Sequence, residues 1–262
     1  MAALAYPAID PVAFSLGPVE VRWYGLAYLA GFVVGVWLLA RLNRRWSVGL
    51  DEGQITDILL AAVISIILGG RLGYVLFYNL SYYLENPSKI VAVWDGGMSF
   101  HGALAAVMLA AVFMARRLGI PVLRLMDMGA VGAPFGLFVG RIANFINGEL
   151  WGRPSDVPWA MVFPGAGPLP RHPSQLYEAL LEGLLIFVVL VVLARRKRPD
   201  GTFVGLFLVM YAVARFAVEF AREPDPQLGL VLGPFSMGQL LTVPMAALGV
   251  WLLVRAWKTV SR

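Results

Sequence analysis

No cysteine occurs anywhere in the 262 residues, so the chain can form no disulfide within itself and offers no thiolate as nucleophile or metal ligand. Any thiol in its chemistry must come from a partner. Charge is also scarce. Asp, Glu, Lys and Arg make up 14% of the residues, where a soluble domain carries about a quarter. Histidine is confined to His101 and His172, and neither these nor the carboxylates fall at a metal-ligand spacing. A Gly-rich nucleotide loop after a strand is missing, as is a G-x-S-x-G nucleophile elbow, which argues against nucleotide chemistry and serine hydrolysis. No metal and no cofactor is expected. Met1 to Asp10 lacks the basic and continuous apolar regions of a signal peptide, so the first span is expected to act as its own insertion signal. With no internal repeat and no low-complexity stretch, residues 1–262 read as a single transmembrane domain.

What the sequence has in abundance is apolar surface: 59% of residues are hydrophobic and the mean hydropathy is +0.74. Lipid is the solvent that such a surface needs. A helix crossing the hydrocarbon core takes roughly 20 mostly apolar residues, and runs of that kind begin near Trp23, Ile55, Ser99, Met126, Gln175, Phe203 and Met237. The fold class expected is therefore an all-α polytopic membrane protein of about seven transmembrane helices. Basic clusters follow the first, third, fifth and last runs, at Arg41/Arg44/Arg45, Arg116/Arg117/Arg124, Arg195–Arg198 and Arg255/Lys258/Arg262. The alternate connections are poor in base: 79–97 holds one Lys against Glu85 and Asp95, and 223–235 holds Glu223 and Asp225. By the positive-inside rule the N-terminus is outside and the C-terminus cytoplasmic. The net charge of +5 thus reads as topology, with no nucleic-acid partner. The longest connection, about 148–173, lies outside and is rich in Pro and Gly, which exclude a long helix; Trp159–Phe163 within it could form a short strand.

Ionisable side chains within the bilayer cost about 2.5–3.5 kcal/mol on insertion scales, so each needs a reason. Here they recur at one depth, near the outer ends of the helices. The second run carries Arg71 and Tyr74, the third opens with Ser99-Phe-His-Gly102, and the fourth ends in Gly140-Arg-Ile-Ala-Asn-Phe-Ile-Asn-Gly-Glu-Leu-Trp-Gly-Arg153. The fifth opens with Arg171-His-Pro-Ser-Gln-Leu-Tyr-Glu178, and the sixth ends with Arg215, Glu219 and Arg222. Arg215, Glu219 and Arg222 stand at i, i+4 and i+7 and share a helix face, as do Arg141 and Asn144 at i and i+3. A cluster with more Arg than carboxylate suits an anion, because guanidinium offers paired donors to phosphate oxygens. At this level of a membrane the expected anion is a phospholipid headgroup. Taken singly, the residues have plainer readings. Arg215–Glu219 could be a structural ion pair, Arg71 helix glue, and His172 a structural residue of a Pro-flanked loop. Trp23, Tyr82, Tyr83, Trp151 and Trp257 read as an aromatic belt.

The long motif at 140–153 resembles the signature of the prolipoprotein diacylglyceryl transferase family. The resemblance extends to Arg22-Trp-Tyr-Gly-Leu26, Ser99-Phe-His-Gly102, His172-Pro-Ser-Gln-Leu-Tyr-Glu178 and Arg215-Phe-Ala-Val-Glu-Phe-Ala-Arg-Glu-Pro-Asp225, in family order across nearly the whole chain. Ala103 and Ala143 depart from it, where many members carry Gly. The resemblance implies a multi-pass enzyme of the bacterial inner membrane with its active site towards the periplasm, so that 148–173 is a periplasmic excursion. Its reaction would move the diacylglyceryl group of phosphatidylglycerol onto the lipobox cysteine of a prolipoprotein, forming a thioether and releasing glycerol phosphate. Its partners would be phosphatidylglycerol, membrane lipid and lipobox signal peptides.

Carried over by motif, the catalytic positions are His101, Arg141, Glu149 and Arg215. The substrate-binding positions are Tyr24, Asn144, Glu219 and Arg222, with Gly97, Gly102 and Gly152. With that reaction in view, Arg141 and Arg215 are assigned to the phosphate, Asn144 to a neutral donor, and Glu149 to orienting an Arg or the glycerol hydroxyls. His101 is assigned the general base, because histidine ordinarily changes charge near neutral pH. The rival reading is a transporter or lipid-binding scaffold that uses the same arginines only to hold an anion.

Overall fold

A computed structural model describes residues 4–223 and 230–260. It is mainly helical, as the apolar runs require: hydrocarbon offers no water to backbone N–H and C=O groups, so a spanning segment must satisfy them internally. Short strands come first, β1 (Leu4–Ala5), β2 (Val12–Leu16) and β3 (Val19–Arg22). The helices α1 (Trp23–Trp46), α2 (Glu52–Tyr78), α3 (Leu80–Glu85), α4 (Phe100–Arg117) and α5 (Val122–Ile146) follow. After an irregular stretch containing β4 (Met161–Val162), the fifth apolar run forms α6 (Ser174–Glu178), a π-helical segment (Ala179–Leu185) and α7 (Ile186–Leu193). α8 (Thr202–Val218), β5 (Leu230–Leu232), β6 (Phe235–Ser236) and α9 (Met237–Val260) complete the described chain.

Among the described residues, six helices are long and apolar enough to cross a membrane: α1, α2, α4, α5, the continuous run Ser174–Leu193, and α9. The sequence expectation of about seven meets its difference at α8, which is apolar but only 17 residues long. Charged residues, beginning with Glu219, follow its last turn and shorten the apolar stretch. The polytopic all-α class is what the structure has. Its burial agrees with lipid as the outer solvent, since Leu109, Phe113 and Val213 are exposed while Arg71, Gln175, Glu178 and Glu182 are buried. Asp225 and Arg262, used above in the topology argument, lie outside the described residues.

The chain divides into two compact units, Leu39–Met126 and Met1–Leu38 with Asp127–Arg262. In the first, Asn43 seals the turn after α1 by donating to Leu50 O (2.7 Å) and accepting from Leu50 N (2.9 Å). Asp51 and Gln54 then cap α2 reciprocally. α2 and α4 cross closely at small residues. A Cβ on Gly69 would lie 2.2 Å from Ala106 Cβ, and one on Gly102 would lie 2.3 Å from Gly69 O. Close backbone approach through small residues is how helices associate in lipid, where apolar burial alone drives little.

Arg71, in the C-terminal third of α2, is 4% exposed. Its guanidinium donates to Ile90 O (2.8 Å), Lys89 O (2.6 Å) and Gly97 O (3.2 Å), and also to Gly96 O. It lies 5.1 Å from the Tyr83 ring centroid. Of the two readings open for Arg71, the structural one accounts for all these donors: it pins the 87–97 connection. Tyr83 is buried beneath it, so the belt reading does not hold for that residue.

In the second unit, buried Asp127 of α5 accepts from Gly201 N and Val204 N (both 2.8 Å), so its carboxylate caps the first turn of α8. α8 meets α9 closely where a Cβ on Gly205 would come within 2.9 Å of Gly249 O. β4 falls within the stretch expected to form a strand and pairs in parallel with β1, Leu4 opposite Met161. The excursion is tied to the chain after α8. Arg153 donates to Arg222 O (2.7 Å), and Arg171 bonds Gly152 O (3.1 Å) and Glu223 (2.8 Å).

Candidate active site

Two helix ends of the second unit supply the arginines. On α8 the i, i+4 spacing brings Arg215 Nη2 to 2.7 Å from Glu219 Oε2. The helical pattern runs on past Val218, with Glu219 N bonded to Arg215 O (3.0 Å) and Arg222 N to Val218 O (3.2 Å). Arg222 therefore remains near the same face, its Nε 3.6 Å from Glu219 Oε2. At the end of α5, Arg141 donates to Asn144 Oδ1 (3.4 Å) and Asn144 donates to Glu149 Oε1 (2.8 Å). The chain can fold back over that helix end because Gly148 takes a φ of +66° and Leu150 one of +57°, the first of which suits glycine. Gln175 Nε2 then holds Glu149 by its carbonyl (2.6 Å).

Glu178 joins the two arms. Its Oε2 lies 2.9 Å from Arg141 Nη2, 3.1 Å from Arg215 Nη1 and 3.2 Å from Arg222 Nη1. Glu182, one turn on, comes within 3.6 Å of Arg215 Nη1. These two carboxylates bracket the entry to the π-helical segment. The wider π turn shifts the register of side chains on a helix, and such segments gather at functional sites. The segment is also pressed against α5: a Cβ on Gly183 would lie 2.6 Å from Phe138 Cα.

The expected excess of arginine over carboxylate is corrected by this geometry. Arg141, Arg215 and Arg222 are matched in ion pairs by Glu178, Glu182 and Glu219. The helix-end motifs include Glu178 without giving it a role, and they stop short of Glu182. Burial nevertheless separates the charges into layers. The carboxylate side chains are 0%, 1% and 6% exposed, whereas the guanidinium side chains are 15–21% exposed. The acids therefore lie deeper than the arginines they hold. Preorganised donors of this kind stabilise charge that develops on a bound oxyanion.

Residues 11–255 match the sequence model of the family described as prolipoprotein diacylglyceryl transferase. Similar proteins include the phosphatidylglycerol–prolipoprotein diacylglyceryl transferases of Geobacter sulfurreducens and of Nitratidesulfovibrio vulgaris (strain DSM 19637 / Miyazaki F). Each is 54% identical over 253 residues, covering 96% of both chains. The protein of that name from Allorhizobium ampelinum is 54% identical over 265 residues, 97% of this chain and 92% of its own. This chain belongs to the prolipoprotein diacylglyceryl transferase family.

Of the positions that the family motifs marked, the structure joins Arg141, Asn144, Glu149, Arg215, Glu219 and Arg222 in one network around Glu178. Glu149 meets Arg141 through Asn144 rather than directly. Tyr24 lies in the same unit, half-buried, with its ring 5.2 Å from that of Tyr28. His101, Gly97 and Gly102 belong to the other unit; His101 is exposed in the first turn of α4.

The family's glycines are occupied by protein. Gly102 is spent on the α2–α4 crossing, and Gly97 adopts a φ of +76° with Tyr74 where a Cβ would go. On Gly152 a Cβ would lie 2.3 Å from Ala221 O. His172 has its Nδ1 3.1 Å from Tyr177 Oη and its backbone N bonded to Arg153 O. Burial holds its imidazole below the usual histidine range, against the opposing pull of Asp156. That is the structural role its loop suggested.

Glu178 and Glu182 are the residues of this cluster to which motif reading gave no role, although Glu178 closes one quoted motif. The signal available was their i, i+4 spacing at the start of an otherwise apolar run, since an acid within a span is a site candidate by default.

Proposed function

We propose that this chain transfers the diacylglyceryl group of phosphatidylglycerol to the lipobox cysteine thiol of a prolipoprotein, forming a thioether and releasing glycerol phosphate. The observation that carries this reading is the layered cluster: three guanidiniums held by buried acids, in a chain matched to the transferase family from 11 to 255. In the reaction the thiolate sulfur attacks the glyceryl carbon that bears the phosphate. The new bond is S–C, the bond broken is C–O, and the electron pair leaves on the phosphate oxygen. Arg141 and Arg215 receive that growing charge and Asn144 adds a neutral donor. Glu149 acts through Asn144, keeping its amide turned so that Oδ1 accepts from Arg141. The absence of cysteine from the chain is consistent with a nucleophile carried by the substrate.

The thiol, with an ordinary pKa of about 8.5, must lose its proton to attack, and His101 is the group we assign to take it. This rests on the family motif Ser99-Phe-His-Gly102. His101→Asn is expected to slow transfer at neutral pH and to lose less as pH rises and the thiol ionises unaided. Full turnover of the variant at neutral pH would remove the assignment. We also propose that α8 completes a set of seven spans, with the N-terminus periplasmic and the C-terminus cytoplasmic. The protein would then lie in the bacterial inner membrane with the cluster towards the periplasm, as the basic residues after alternate spans support.

The decisive experiment incubates the purified protein with phosphatidylglycerol vesicles and a lipobox peptide. Mass spectrometry should find the peptide heavier by one diacylglyceryl group, with glycerol phosphate released in equal amount. Lipid binding without either product would favour the scaffold or transporter reading.

A further inference from the structure

The first turn of α9 carries polar residues that the family motifs leave unassigned. Ser236, 3% exposed, donates its hydroxyl to Glu219 Oε1 at 2.8 Å. Ser236 and Gln239 also close a reciprocal cap on α9: Gln239 N donates to Ser236 Oγ (3.3 Å) and Ser236 N to Gln239 Oε1 (3.1 Å). That box fixes the Ser236 rotamer, and Gln239 is itself 1% exposed and reaches Phe216 O of α8 (3.4 Å). Gly238 leaves the remaining space. A Cβ there would lie 2.9 Å from Glu219 Oε1, 3.0 Å from its Cδ and 3.1 Å from Oε2. The Glu219 carboxylate thus sits against the turn, where the positive end of a helix favours a negative group. Its other oxygen is left to Arg215 (2.7 Å) and Arg222 (3.6 Å).

We propose that Ser236, Gly238 and Gln239 form a cradle that positions Glu219 and, through it, the Arg215 guanidinium for diacylglyceryl transfer. They are assigned as positioning residues, acting through Glu219 rather than on the substrate. The inference rests on the function proposed above, but its geometry can be tested apart from it.

Gly238→Ala is the sharpest probe. The three atoms nearest to the added Cβ all belong to the Glu219 carboxylate, and alanine favours a helix over glycine. The variant should stay folded in detergent, melting above Glu178→Ala, while its carboxylate is pushed off Arg215. Turnover should fall about 10- to 100-fold, the scale of an ångström's misplacement in a site, with KM for phosphatidylglycerol changing less than kcat. Ser236→Asp keeps a capping oxygen but loses the donor and adds like charge, so it should lose turnover similarly, whereas Ser236→Thr should restore it. In a Glu219→Gln background, Ser236→Ala should have little further effect.

Parental kcat in Gly238→Ala or Ser236→Asp would overturn the proposal. So would loss in Ser236→Ala that Ser236→Asp repairs, which would make the helix cap the whole role. A parent protein without transfer activity would count against the proposed function instead. The cradle would then be judged by an experimental structure of Gly238→Ala, and an intact Glu219–Arg215 pair there would refute it.

Discussion

Glu178→Ala is expected to abolish measurable transfer and to lower the melting temperature of the protein in detergent. The side chain is wholly buried and is the acid that Arg141, Arg215 and Arg222 share. Removing one partner from a buried ionic group costs about 3–5 kcal/mol, because the opposite charges stay behind uncompensated. The lower end applies, since the arginine side chains keep 15–21% of their surface and can partly rehydrate. Activity should suffer more than stability. With their common anchor gone, the guanidiniums would spread under mutual repulsion and no longer converge on one oxyanion. Losing a single preorganised donor typically costs about 100- to 1,000-fold, and here three would be misplaced together. Glu178→Gln should fold better than the alanine variant, since it preserves shape and an acceptor oxygen, yet still transfer poorly because the charge is gone. Paired melting and product assays check this. Parental turnover in Glu178→Ala would show that the cluster does not organise catalysis.

Arg141→Lys should leave the fold almost unchanged and still lower kcat/KM by about 100-fold. Arg141 uses one nitrogen on Glu178 Oε2 (2.9 Å) and the other on Asn144 Oδ1 (3.4 Å). A planar fork can hold both and still present N–H groups to a phosphate. A lysine ammonium has a single point of charge, and the Glu178 carboxylate would claim it. Asn144 would lose the donor that sets its amide, and with it the orientation passed on from Glu149 (2.8 Å). Kinetics with phosphatidylglycerol and a lipobox peptide, beside a melting curve, provide the check. A lysine variant at parental rate would mean that charge alone, without geometry, suffices at this position.

Much of the fold was legible because hydrocarbon imposes a length and a composition that a linear pattern records. The starts expected at Trp23 and Met237 are those observed, and the expected Gln175 is preceded by Ser174. α8 was legible as an apolar run but reaches only 17 residues, because charged residues of the cluster occupy and follow its last turn. The pairing of Arg215 with Glu219 followed from helical spacing alone. Glu178 was visible within a motif, but its part was not, since nothing local says that one carboxylate will be met by arginines 37 and 44 residues away in sequence. Ser236 and Gly238 were less visible still. In sequence they look like an ordinary helix start, and only the packing of α9 beside Glu219 gives them a further use.

The sequence by itself determined that this is a multi-span helical membrane protein with ionisable groups gathered at helix ends. Those properties follow from hydropathy, charge placement and the 3.6-residue repeat, all of which are local. Only the tertiary structure decided how the charges divide. It neutralised what looked like a surplus of arginine, set Glu178 behind three guanidiniums, and bound Arg71 to the carbonyls of its own connection. The physical reason is that a buried charge must find partners in three dimensions, and those partners come from helices that the chain order keeps far apart.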